Sequence, residues 1–246
     1  MKKIFFYVET KENLNWKNVS NIKEINNLGY DVNFCDSLLH WVPEEKRYEI
    51  ARSFASARIV AARSPIINPF PYEIEYEMGR FFGNKSVGVL YDAVILRNIY
   101  FKILSLWMKK NPLDHVHIVV TDDLIATIDY DGYYHGRIAL FSFPTIISVS
   151  GIRYVPARSK QYYWAWMVKM ALGETFSPNL EFPEERLPDI FRGYMIQSIF
   201  FYFTGNPFCE DKNCRLFNAH WLRDMIQSQI ISGKLCEKHR RMLMDL

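Results

Sequence analysis

Three of the four cysteines lie in the 28 residues from Cys209 to Cys236, and His239 follows three positions later. The pattern is C-x4-C, 21 intervening residues, then C-x2-H. Each half can close a short chelating turn. Together they offer Cys3His, the donor set of a closed tetrahedral zinc site. A closed site has no open position for water, so the role it implies for zinc is structural. Such a clamp forces two segments separated by a helix to meet. Cys209, Cys214, Cys236 and His239 are the expected ligands. His220, on the helix after the first turn, is the alternative fourth ligand, and the local pairing within C-x2-H favours His239. Cys35 stands alone in a strand and reads as core.

The chain has 246 residues, a length that suits one large domain or two small ones. Its 49% apolar and 23% charged content excludes a disordered chain, a coiled coil and a collagen-like repeat. A net charge of +3 gives no basic field for nucleic acid. Aromatics at 16% imply a large core and a surface for a partner. The apolar run at residues 4–8 is too short for a secretory signal. No stretch reaches the roughly 18–20 apolar residues of a membrane span. The expectation is a soluble cytoplasmic protein with no membrane segment, a compartment where structural disulfides are rare. That returns the cysteines to metal.

Along the chain, residues 4–8 predict a strand, 19–28 a helix ending at Gly29, and 30–35 a β-like segment. Pro43 opens a helix over 44–58, with Tyr48, Ala51, Phe54 and Ala55 on one stripe. Residues 65–72 hold three prolines and predict a loop. Glu73, Glu75 and Glu77 alternate with Ile74, Tyr76 and Met78, which predicts a solvated strand face. A helix over 92–109 ends in Lys109-Lys110, at the negative end of its dipole. Residues 115–121 predict a strand. Asp131-Gly132 joins a hairpin of 126–130 with 133–141, and 146–149 is a further strand. Helices follow over 161–172, 187–203 and 218–231. The order predicts one α/β domain over 1–246, its first part residues 1–110 and its second 111–246, the latter closing in helices.

The helix before the first zinc turn carries a second signal. The run Ser198-Ile199-Phe200-Phe201-Tyr202-Phe203-Thr204-Gly205-Asn206-Pro207-Phe208-Cys209, then Cys214, resembles the archaemetzincin family of zinc metallopeptidases. In that family a helix bearing H-E-x-x-H-x-x-G-x-x-H runs straight into C-x4-C and a later C-x2-C. Gly205, Cys209 and Cys214 align without a gap, Leu216 takes the place of the family's Met, and the later pair is C-x2-H. The three catalytic His positions are Ser198, Tyr202 and Phe208, and the Glu position is Ile199. A catalytic zinc needs three protein ligands, an open position and a carboxylate base. Phe and Ile supply none of these. The resemblance implies a metzincin-like mixed sheet packed with helices, a helical C-terminal part and the structural zinc, and it argues against peptidase chemistry. It covers residues 112–240, where the strand at 115–121, the hairpin and 146–149 match the segment before the active helix. A narrower archaeal group of metallopeptidase relatives is similar in F-C-E-D-x-x-C-R-L-F-N-A-H-W.

Other candidates read more simply as structure. His115 and His117 share a strand face. His135, Arg137 and Asp123 are candidate binding residues near the hairpin, and Asp122-Asp123 also suits a turn. Tyr162, Tyr163, Trp164 and Trp166 after Arg158 and Lys160 resemble a base-stacking set, more simply a half-buried helix. No phosphate-binding glycine loop or nucleophile elbow is present. The leading expectation is a metallopeptidase relative without peptidase activity that binds a peptide or protein in the remnant cleft. Ser198, Tyr202 and Phe208 would line it. The alternatives are an active hydrolase built on His135 or His115/His117 with a carboxylate such as Asp123, and a zinc-stabilised nucleic-acid module.

Overall fold

The segment Val116–Thr121 is buried at every position, as a central parallel strand covered on both faces must be. The computed structural model around it describes residues 3–10, 31–61, 64–65, 68–84, 89–107, 112–173 and 182–244. The predicted helix over 19–28 and the Lys109-Lys110 helix end lie outside the described residues.

The strands are β1 (Lys3–Glu9), β2 (Asp31–Cys35), β3 (Ile59–Ala61), β4 (Ser64–Pro65), β5 (Leu90–Asp92), β6 (Val116–Thr121), β7 (Leu124–Ile128), β8 (Tyr134–Arg137), β9 (Ala139–Leu140) and β10 (Thr145–Ser148). The main sheet runs β2-β1-β6-β10-β9. Its first four strands are parallel, and β9 pairs antiparallel at the edge. A smaller sheet, β5-β7-β8, contains the expected hairpin, with Gly132 at φ 77° in its turn. Only glycine holds that angle without a Cβ penalty.

The helices are α1 (Glu44–Ser56), α2 (Pro71–Met78), α3 (Ala93–Trp107), α4 (Val149–Tyr154), α5 (Lys160–Ala171), α6 (Leu187–Thr204), α7 (Leu222–Ile226) and α8 (Glu237–Met244). Strand alternation divides the core. Ile4, Phe6, Ile118, Val120 and Ile147 face α6, while Tyr7, Val119 and Ile146 face α3. Helix α6 is buried on nearly all sides from Ile190 to Phe200, because the C-terminal segment covers what the sheet leaves open. Each side chain such as Phe191 or Ile196 contributes about 1.5–3 kcal/mol by that burial. The helix ends at Gly205, φ 73°, the glycine that turns the chain toward the first zinc turn.

Four expectations are corrected. Residues 71–78 form a helix, not a strand, and Glu73 and Glu77 are buried. The three-proline loop is correspondingly shorter, since Pro71 takes the first helical position. The alternation of Glu with apolar residues has a strand period. However, Glu73 and Glu77 at i, i+4 share one helix face and meet Arg58 and Arg80 there. The helix expected from Asn218 begins only at Leu222, because Trp221 bridges to Ala157 in extended form. It then widens into a π turn, Gln227–Ser232. On the α1 stripe Tyr48 is exposed and Ile50 is buried in its place.

Candidate metal centre and the adjoining cleft

Cys209 and Cys214 are brought together by a tight turn. Cys214 N–H donates to Asp211 O at 2.9 Å and Cys209 N–H to Leu216 O at 2.7 Å. A bridge between Cys214 and Lys234 then draws the second half alongside. Cys236 sits just before α8 and His239 lies in its first turn, so both project to one side. One ligand atom from each of the four lies within 4.8 Å of all the others. His239 Nδ1 is 3.0 Å from Cys236 Sγ and 3.8 Å from Cys214 Sγ. Those separations suit tetrahedral zinc with bonds of about 2.0–2.3 Å.

The surroundings favour metal-bound thiolates. Asp211 N–H points at Cys209 Sγ and Cys236 N–H at Cys214 Sγ, both at 3.4 Å. Such donors orient and stabilise a ligating sulfur. Burial pushes the Cys214 thiol up to about 12 and raises Cys209 as well. Burial also lowers His239, which keeps its imidazole neutral. A cation is therefore what would deprotonate these thiols. Cys214 is fully buried in the core that includes α6, and Phe200 of α6 meets the His239 ring edge-on at 5.5 Å. The centre could hold zinc, and its residues fit that ion. His220, the alternative ligand, is not part of it: it is exposed, and its carbonyl accepts from Ala157 N–H.

Two glutamines tie the centre to α6. Gln197 donates to Arg215 O at 3.1 Å and Phe217 O at 3.3 Å, and Gln229 donates to Arg215 O at 2.8 Å. A Cβ on Gly193 would lie 1.7 Å from Gln229 Oε1, so glycine makes this crossing feasible.

Beside the centre opens a cleft of about 620 Å³, walled by β8, β9 and α6. Phe141 meets Phe208 edge-on at 5.5 Å and Phe201 at 6.3 Å. Tyr194 and Gln197 continue the α6 wall, while His135, Arg137 and His220 stand on the other sides. Among the described residues, none that lines it is Asp or Glu. Phe208 lines the cleft, and Ser198 and Tyr202 do not. The phase of α6 turns Tyr194, Gln197 and Phe201 to the cavity instead. Ser198 is buried and donates to Tyr194 O at 2.7 Å, Ile199 is buried, and the Tyr202 hydroxyl donates to Leu113 O.

The remaining candidates are dispersed. His135 pairs with Asp131 at 2.9 Å, and Arg137 with Asp129 at 3.1 Å. His117 Nδ1 is 2.8 Å from the Tyr7 hydroxyl, in an aromatic stack with Phe5. Asp123 lies elsewhere, at the carboxyl ends of β1 and β6, where Arg80 binds it with both terminal nitrogens at 2.9 and 3.1 Å. Arg80 Nε also reaches Glu77 at 2.5 Å, and the guanidinium lies over the rings of Phe54 and Tyr91. Sequence reading missed this cluster, since its members are scattered from residue 9 to 123.

Glu9 belongs to it, accepting from the Tyr100 hydroxyl at 2.8 Å. Burial, its largest influence, raises it from 4.5 to about 7, and Oε1 is out of solvent. The native state thus keeps this proton to higher pH than the unfolded chain does. Stability from Glu9 is fullest below about 4.5 and declines through about 7, a loss of about 3 kcal/mol. In urea titrations at several pH values, Glu9→Gln should remove that decline relative to the parent.

The sequence model of a "Probable metallopeptidase family (DUF6775)" matches residues 1–246. The chain belongs to this family. Its fold is similar to the crystal structure of a zinc-dependent peptidase from Methanocorpusculum labreanum, with TM-score 0.51 and 15% identity over 98% of this chain and 99% of that one. It is also similar to archaemetzincin from Methanopyrus kandleri, with TM-score 0.48 and 9% identity over 99% and 94%. No curated protein matches in sequence. The likeness to the Methanocorpusculum labreanum peptidase is one of fold, and the mixed sheet packed with helices is the architecture expected from the sequence.

Proposed function

We propose that this DUF6775 member is a zinc-stabilised relative of the zinc peptidases that binds a peptide or protein segment in the cleft and does not hydrolyse it. Zinc at Cys209, Cys214, Cys236 and His239 would supply a structural crosslink. One observation carries the reading: the cleft wall offers Tyr194, Gln197, Phe201 and Phe208 and no carboxylate base among the described residues, while Ser198 and Tyr202, at the aligned ligand positions, bond elsewhere. Aromatic walls suit an apolar side chain. Edge strand β9 beside them offers backbone groups to an added strand.

A random nonapeptide library passed over the immobilised protein should leave bound sequences. Those peptides should bind Phe208→Asp at least ten-fold more weakly, and none should be cut when zinc is supplied. Phe208 is partly exposed, so the variant is expected to fold. Chelator-sensitive cleavage of the library would overturn the reading.

A further inference from the structure

Helix α5 leaves the rim of the cleft just after Ala157 and buries none of its side chains. Tyr163, Trp164, Trp166, Met167, Val168 and Met170 are between 39% and 67% exposed, and Leu172 beyond them is 69% exposed. At 3.6 residues per turn these side chains sweep most of the helix circumference. A helix apolar nearly all round is ordinarily covered, and an exposed patch of this kind marks a docking surface.

Charge distinguishes the two coverings that fit, a second copy of the chain and a lipid surface. From Gly132 to Gly173 the chain has no Asp or Glu. Lys160 and Lys169, toward the two ends of α5, are exposed. Two copies pairing this helix about a two-fold axis would bring four ammonium groups together, with no carboxylate of this stretch to offset them. A layer of anionic headgroups supplies the opposite charge. Trp and Tyr are the side chains that settle at headgroup level. The 12 residues of α5 span about 18 Å, short of the roughly 30 Å hydrocarbon core, so the helix can lie in the interface but not cross it. Among the described residues no helix is long and apolar enough to cross a membrane.

We infer that α5 docks the protein on an anionic membrane surface, with Trp164 and Met167 entering the acyl boundary and Lys160 and Lys169 at the phosphates. Flotation of the full chain with vesicles of 30% phosphatidylglycerol in phosphatidylcholine tests this against pure phosphatidylcholine. The protein should float with the anionic vesicles at least ten-fold more strongly. The double variant Lys160→Glu/Lys169→Glu should lose roughly twenty-five-fold or more, from about a factor of five per lysine. Trp164→Glu/Met167→Glu should also abolish flotation while retaining its circular dichroism and zinc content, because these side chains are exposed. Equal flotation on both vesicles, or none on either, would overturn the inference. So would a concentration-dependent dimer that Trp164→Glu dissociates without any vesicle binding, which would assign the helix to a second copy.

Discussion

Cys214→Ser is expected to leave the chain without cooperative structure at room temperature, whereas Cys35→Ser should shift the melting temperature by only a few degrees. Cys214 is fully buried, and both its backbone and its sulfur are held within the metal centre. Serine there would bury a hydroxyl and remove one of four donors. Structural zinc contributes about 10–16 kcal/mol in isolated zinc-finger peptides. A whole domain is stable by only about 5–15 kcal/mol. Losing even half the metal's contribution would consume that margin. Because Cys214, Leu216, Leu235 and Leu243 share a core with α6, the loss would not stay local. Thermal melts followed by far-ultraviolet circular dichroism check this, with and without a strong chelator. A cooperative melt for Cys214→Ser within a few degrees of the parent would remove zinc from the structural account.

Arg80→Met should destabilise the chain by about 3–5 kcal/mol, the cost of leaving buried carboxylates without their cation. Arg80 is the shared partner of Glu77 and Asp123, whose side chains are 0% and 4% exposed. Burial is the largest single influence and would lower its pKa, but Asp123, Tyr91 and Glu77 together hold it well above the usual arginine range. Arg80→Lys keeps the charge but loses the two-nitrogen grip and the stacking on Phe54 and Tyr91, so it should restore less than half the loss. Urea titration measures both. A loss below about 1 kcal/mol for Arg80→Met would mean that water or rearrangement satisfies the acids without it.

The metal centre was legible because its chelating turns are local: C-x4-C and C-x2-H place their donors whatever the rest of the fold does. The central strand at residues 116–121 and the Asp131-Gly132 hairpin were legible for the same reason, since a continuous β-branched run and a turn dipeptide carry their own geometry. The α2 segment was not. Its Glu/apolar alternation matched a strand, and only the distant Arg58 and the later Arg80 turned Glu73 and Glu77 inward. The cleft was half legible. Gly205 and Phe208 fall where the motif alignment puts them, but the rotation of α6 about its axis depends on packing against the sheet and the Gln197–Arg215 tie. That rotation turns Ser198 into the core and Phe201 into the cavity. The aromatic spacing of α5 predicts a half-buried helix, yet none of its side chains is buried.

The central claim is one structural zinc and no catalytic one. Metal content per mole of purified protein, measured by mass spectrometry before and after dialysis against a chelator, tests it most directly. The account predicts about one zinc, retained through dialysis. About two, with one lost readily, would reveal an open metal site and contradict the non-peptidase reading. None would contradict the zinc centre itself.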